Sequence, residues 1–351
     1  MSLMKPMALA GNAASTAQKR LLLALNSQES AFFLPMLKGV ELNGVDCQFV
    51  DTSDCSADEW NACLCDWDPH VLVSCWSTPS LPLSFVGDSR RALQYICHLT
   101  GSVRHVAPRR FLELGGIVSN WGDLACAQVA EHALLLALAA LRGLYNWRSF
   151  IQAGDGSIRY QAVELSTETL FGRQVGLHGF GRIARALVKL LEPFQVKICA
   201  YSDGVPSEFI EAHGVRACES IRDLFRSSDV LFECETLTEK SERSVTGDLI
   251  ALLADDSVFV NVGRGAVVDE AALIAEAGRL RIALDVVTTE PISAADPFFD
   301  APHTILSPHI AGPTFDQYLK CGELAVSNLI AFFEGRAVSD RLSLSDFDRA
   351  T

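Results

Sequence analysis

The stretch VGLHGFGRIARAL, Val175 to Leu187, constrains this chain more than any other. An apolar run stops at Gly179, glycine returns at 181 and alanine follows at 184, just as the helical pattern ARALVKLLEPF begins. A G-x-G-x-x-A spacing between a strand and a helix is the turn of a dinucleotide-binding βαβ unit. Gly179 permits the tight turn, Gly181 lets a pyrophosphate approach the backbone, and Ala184 keeps the helix close to the strand. The helix N-terminus then offers N–H groups and a partial positive charge to an anion. Gly179, Phe180, Gly181, Arg182 and Ile183 are therefore the candidate phosphate contacts. The same spacing also serves a strand-to-helix turn with no ligand, so the rest of the chain must discriminate.

Along most of the sequence, short apolar runs alternate with helical patterns, as in βαβ units around parallel sheets. KRLLLALN (Lys19 to Asn26), DPHVLVSCW and RALQYICHLTG read as strands ending in small or polar residues. FLELGGIVSNWGDLAC leads into an apolar helix, CAQVAEHALLLALAALRGL, Cys126 to Leu144. A second set begins near Gly172 with strand RQVGLHGF, then VKICAYSD, helix SIRDLFRSSD, and strands DVLFECE and DSVFVNVGRG. A helix from Asp269 to Ala277, strands RIALDVV and HTILSPHI, and a helix from Thr314 to Gly335 complete it. The pattern predicts an α/β chain of two Rossmann-like, doubly wound parallel-sheet domains.

At 351 residues the chain has room for both. A net charge of −14 opposes the counterion release that nucleic-acid binding requires, and disfavours anionic lipid. Glu131 and His132 interrupt the Cys126–Leu144 segment, which is too short for a membrane span and reads as a buried helix. MSLMKPMALAGNAAS has no secretory h-region, so a cytoplasmic protein with reduced thiols is expected. Cys47, Cys55, Cys63 and Cys65 contain no C-x-x-C pair; they read as small buried hydrophobes, and no metal is expected.

Support for a cofactor comes from downstream. AYSDG places Ser202 and Asp203 after the second strand of the second set, where an acid binds the ribose hydroxyls and repels a 2′-phosphate. That favours NAD and leaves NADP open. Three further strand ends carry polar residues: Arg264 in NVGRG, Glu290 in LDVVTTEP and His309 in SPHIAG. Ligands of open α/β sheets gather at the C-terminal ends of strands. Hydride transfer at a carbinol carbon needs an acid/base, a cation for a carboxylate or developing oxyanion, and fixed geometry. Histidine titrates near neutrality, so His309 suits the first task. Arg264 suits the second, because guanidinium grips a carboxylate bidentately. Glu290 is placed to orient the imidazole. Each residue has a duller reading alone: His309 as a surface residue, Glu290 as a solvated turn, Arg264 as a partner of Asp269.

VGLHGFGRIA, VNVGRGAVVDEAAL, ALDVVTTEP and LSPHIAG resemble, in order and spacing, the signature segments of the D-isomer-specific 2-hydroxyacid dehydrogenases, which include phosphoglycerate, glyoxylate/hydroxypyruvate and D-lactate dehydrogenases. The likeness runs from about Leu93 through Gly312 and is faint before Leu93. It implies substrate-binding and catalytic roles for Arg264, a supporting role for Glu290 and acid/base work for His309. It implies that Asp285 holds the nicotinamide amide, that Thr236, Val262, Gly263, Arg264, His309 and Gly312 line the cofactor, and that Gly101, Ser102 and Val103 offer backbone N–H groups to the substrate carboxylate. Residues 122–310 would form an NAD(P)-binding domain inserted into a substrate-binding domain of 19–121 and 311–340, with flexible termini at 1–18 and 341–351. A homodimer through the helix of residues 126–142 is also implied.

The sequence departs from that family at two places on the cofactor side. In gapless register the usual acid falls on Ser202, with Asp203 next, and Thr236 replaces a usual proline. On the substrate side, SCWSTPS carries Trp76 and no adjacent Arg or Lys, which disfavours a phosphorylated substrate unless Arg104 and His105 supply the charge. The expectation is an NAD-dependent enzyme interconverting a small D-2-hydroxy acid and its 2-oxo acid. The alternatives are an NAD(H)-sensing, corepressor-like binding protein on the same scaffold, and a formate or phosphite dehydrogenase-like enzyme.

Overall fold

A computed structural model of the chain describes residues 18–37, 44–153 and 165–349. The chain divides into two compact units, Met1–Ala125 with Phe315–Thr351, and Cys126–Thr314. Both junctions fall a few residues beyond 121/122 and 310/311 for local reasons. Leu124 donates its N–H to Trp121 O and packs with the first unit's core, whereas Ala311 is anchored to Asp285 of the second.

In the first unit, β1 (Lys19–Leu25), β2 (Val45–Asp51), β3 (Val71–Ser74), β4 (Tyr95–His98) and β5 (Ile117–Ser119) form a parallel sheet in the order β2-β1-β3-β4-β5. Successive side chains of β1 enter opposite faces: Leu22 and Ala24 join Trp60 and Leu64, while Leu21 and Leu25 join Phe33. β3 and β4 are buried throughout, as parallel strands covered on both faces must be. The sequence pattern did not flag β2, because Asp46, Gln48 and Asp51 dilute its apolar residues; it is the edge strand and half exposed. Cys55, Cys63 and Cys65 pack partly buried against one core face and Cys47 against the other.

Residues 341–349 correct the expectation of a flexible C-terminus. Leu342 donates its N–H to Val118 O at 2.8 Å, the helix Leu344–Arg349 buries Phe347, and Asp348 pairs with Arg109 at 2.7 Å. Polar composition concealed this, since only Leu342 and Phe347 reach the core. Residues 1–17 and 350–351 of the expected termini lie outside the described residues.

In the second unit, β6 (Gln174–His178), β7 (Lys197–Tyr201), β8 (Arg216–Ala217), β9 (Val230–Glu233), β10 (Val258–Asn261), β11 (Arg281–Leu284) and β12 (Thr304–Leu306) form a parallel sheet in the order β12-β11-β10-β9-β6-β7-β8. Strand order reverses between β6 and β9, the switch point where a crevice opens at the carboxyl ends. The helix Cys126–Leu141 buries Ala130, Ala133, Ala137 and Ala140, small residues at near-helical spacing, in the core against β10 and β11. The next helix, Leu144–Ala153, is bent from it by 43°. No single helix among the described residues is long and apolar enough to cross a membrane.

Candidate cofactor and catalytic site

The site is built from strand ends of the second unit. Where β6 stops, Gly179 adopts φ +85°, and a Cβ there would lie 2.7 Å from the backbone of Glu235. Only glycine fits both the conformation and the approach. Gly181 is the N-cap of the helix Arg182–Leu191, which no side chain caps, and a Cβ on Gly181 would meet nothing within 4 Å. Uncapped helix amides beside open space fit a pyrophosphate. Phe180 and Ile183 turn their side chains into the core, so their contribution is backbone; the Arg182 side chain is exposed.

Beyond β7, Ser202 donates its Oγ–H to Glu235 Oε2 at 3.4 Å, and the exposed Asp203 is ion-paired with Lys240. Thr236 donates its N–H to Glu235 Oε1 at 3.0 Å. Below the turn, the buried His178 and Glu233 meet at 2.5 Å. Burial alone would lower the His178 pKa, but the Glu233 charge outweighs it and raises the pKa above the usual value.

At the end of β10, Asn261 holds the Gly263–Gly265 segment. Its Oδ1 accepts from Gly263 N at 3.0 Å and its Nδ2 donates to Arg264 O at 3.2 Å. A Cβ on Gly263 would meet Glu235 O at 2.7 Å, and one on Gly265 would overlap the Val287 backbone. The glycines flanking Arg264 thus answer to close neighbouring strands. The Arg264 Nη1 donates to Gly263 O at 2.7 Å. Burial pushes its guanidinium pKa down, against the charge of Glu290. Asp269, the bland partner for Arg264, instead pairs with Arg243 at 2.9 Å. Val262 is buried, its N–H donated to Glu233 O at 3.1 Å.

Asp285, just past β11, is the organising residue of the site. Its Oδ1 accepts from Ser307 Oγ at 2.6 Å and Ile310 N at 2.9 Å, and its Oδ2 from Ala311 N at 2.9 Å. His132 Nε2 lies 2.8 Å from Ser307 Oγ and 3.4 Å from Asp285 Oδ1. Burial pushes the Asp285 pKa up, but these hydrogen bonds prevail and hold it below the ordinary carboxylate value. The loop that carries His309 is thereby tied to β11, with Gly312 directly after its last anchor.

Two outcomes follow for Asp285 variants. Asp285→Ala strands buried donors at about 1–3 kcal/mol each, so its urea midpoint should fall well below the parent's. Because the folded pKa is depressed, the carboxylate's stabilisation is complete above the unfolded value and lost as pH falls through the folded one. The stability gap between parent and Asp285→Asn should therefore be full at neutral pH and close in acid. A gap unchanged with pH would show that the charge does not stabilise the loop.

His309 occupies the left-handed region at φ +52°, held by its own N–H donated to Asp285 O at 2.9 Å. Such a conformation persists where its surroundings over-determine it. Its Nδ1 lies 2.6 Å from Glu290 Oε2, and Glu290 Oε1 accepts from Val287 N at 3.1 Å. The carboxylate is thus fixed at one oxygen and orients the imidazole with the other. His309 remains 46% exposed along its side chain.

In the first unit, the loop Gly101–Val103 follows β4. A Cβ on Gly101 would lie 2.7 Å from the Trp121 indole, and Asn120 Nδ2 donates to Gly101 O at 2.7 Å. Ser102 is half-buried and Val103 is buried. Sequence reasoning missed His132, Ser307, Asn261 and Glu235. The one local signal was Glu233 and Glu235 flanking Cys234, two acids at the end of an apolar strand.

Comparison with known proteins identifies the family. Residues 134–311, just over half of the chain, match the family model of the D-isomer specific 2-hydroxyacid dehydrogenase NAD binding domain. The chain is 29% identical over 227 residues to a glyoxylate reductase of Pyrococcus furiosus, covering 63% of this chain and 67% of that protein. It is 31% identical over 230 residues to the glyoxylate/hydroxypyruvate reductase A of Arabidopsis thaliana, covering 64% and 71%. Its fold is similar to the crystal structure of a glyoxylate reductase from Paecilomyes thermophila, with a TM-score of 0.77 and 20% identity over 94% of this chain and 100% of that one. With the family match spanning the dinucleotide turn and the strand ends that carry Arg264, Glu290 and His309, this chain belongs to the D-isomer-specific 2-hydroxyacid dehydrogenases, NAD(P)-dependent oxidoreductases of 2-hydroxy and 2-oxo acids.

Proposed function

We propose that this protein reversibly reduces a small, unphosphorylated 2-oxo acid to the D-2-hydroxy acid, with Arg264, Glu290 and His309 as its working residues. The observation that carries the proposal is the 2.6 Å contact between His309 Nδ1 and Glu290 Oε2. When bound, the reduced nicotinamide supplies the hydride. With Nδ1 donated to Glu290, the proton that can move sits on His309 Nε2, which delivers it to the substrate oxygen in reduction and accepts it in oxidation. Arg264 grips the carboxylate and polarises the carbonyl; Glu290 holds the ring in one orientation. For the first unit, family resemblance alone implies that the Gly101–Val103 loop offers backbone N–H groups to an anion.

The absence of phosphate from the substrate has its own support. The two residues with the charge to recognise it make other contacts: the Arg104 guanidinium lies over the Phe347 ring at 5.9 Å, and His105 Nε2 contacts Cys75 O at 3.2 Å. Around Trp76 the neighbours are aromatic, Trp121 at 6.4 Å and Tyr318 at 6.2 Å between ring centroids. A panel of 2-oxo acids, followed at the nicotinamide absorbance with NADH and NADPH, tests both points. Small unphosphorylated oxo acids should be turned over. A phosphorylated one should show kcat/KM lower by roughly tenfold or more, the worth of a missing charged hydrogen bond. Failure to oxidise either cofactor with any oxo acid would overturn the proposed reaction and favour a binding protein.

A further inference from the structure

We propose that Glu235, at the end of β9, is the acid that binds the adenosine ribose diol and selects NAD over NADP; this rests on the cofactor reading of the β6 turn. In doubly wound sheets that acid usually follows the second strand, where its carboxylate accepts from the ribose hydroxyls and repels a 2′-phosphate. Here the corresponding positions are compromised. Ser202 carries no charge, and the charge of Asp203 is compensated by Lys240 on the exposed surface.

Strand register brings Glu235 to the same place from the other side of β6. His178 of β6 aligns with Tyr201 of β7 and with Glu233 of β9, so Ser202 lies level with Gly179 and Glu235 one residue further along the turn. The Glu235 backbone borders the turn, at 2.7 Å from a Cβ built on Gly179. Its carboxylate spans the end of β6 to reach Ser202 Oγ at 3.4 Å, while Thr236 N at 3.0 Å fixes the other oxygen. A half-buried carboxylate therefore sits at the end of β7, anchored at one oxygen, with only a long contact to Ser202 at the other. A ribose diol would donate its hydroxyls to that second oxygen, and a 2′-phosphate would meet a negative charge.

The test is equilibrium binding of NADH and NADPH, by titration calorimetry, to the full chain and its variants. The parent should bind NADH at least about tenfold more tightly, and Glu235→Gln should lose most of that preference, while Asp203→Asn keeps it. Adding Ser202→Asp to Glu235→Gln returns an acid to the end of β7 and should restore discrimination, which a merely structural role for Glu235 would not allow. A parent that prefers NADPH, a Glu235→Gln variant that keeps the parental ratio, or an Asp203→Asn variant that loses it would each overturn the assignment while leaving the cofactor site intact. A parent that binds neither dinucleotide would sink the cofactor reading itself, and this assignment with it.

Discussion

Replacing His309 with alanine is expected to lower kcat by about 10²–10⁴-fold while the affinity for NADH stays near the parental value. The magnitude is that of a positioned proton donor, and the selectivity follows from where the residue sits. His309 touches Glu290 and the Asp285 backbone, whereas the glycine turn proposed to bind the cofactor phosphates lies at the end of β6, four strands away from β12 in the sheet. The substitution removes a half-exposed ring without opening a core cavity, so a folding defect does not confuse the result. Single-turnover measurement with saturating NADH separates the chemical step from product release. Near-parental turnover in His309→Ala would remove the residue from the proton path, and loss of NADH binding would assign it to the cofactor instead.

Arg264→Lys should lower kcat/KM for the oxo acid by roughly 10–100-fold, the range expected when a charge-assisted hydrogen bond to a carboxylate is lost. Lysine keeps the charge, so it balances Glu290 and tests geometry alone. Its ammonium is a point charge on a flexible stem and cannot reproduce the two-pronged grip of guanidinium. Asn261, Gly263 and Gly265 hold the Arg264 backbone through contacts that substitution of the side chain leaves in place. The effect should therefore appear as a raised KM for the acid with a smaller fall in kcat, and little change in NADH affinity. Parental kcat/KM in Arg264→Lys would separate the guanidinium from the substrate carboxylate.

Arg264, Glu290 and His309 were visible in the chain because buried parallel strands are nearly continuous apolar runs, so a polar residue at the C-terminal edge stands out. The glycine spacing of the β6 turn was visible for a related reason: φ +85° at Gly179 is a local demand, satisfied by residue type alone. β2 and the two-residue β8 were not visible, since edge strands mix polar residues with apolar ones and a two-residue strand has no period. The ordered C-terminal segment was hidden in the same way, tied down by two apolar side chains and one ion pair.

What depended on residue order alone was the succession of strands, turns and helices, the backbone freedom at the glycines, and the chemical types at the strand ends. Hydrophobic periodicity and local φ preference act over a few residues, so a linear string carries them intact. Which carboxylate meets which donor was settled by packing. Asp285 reaches His132 across more than 150 positions of chain, and Glu235 reaches Ser202 because β6 is flanked by β9 on one side and β7 on the other. Hydrogen bonds and charges act through space, and strand order converts distant residues into neighbours.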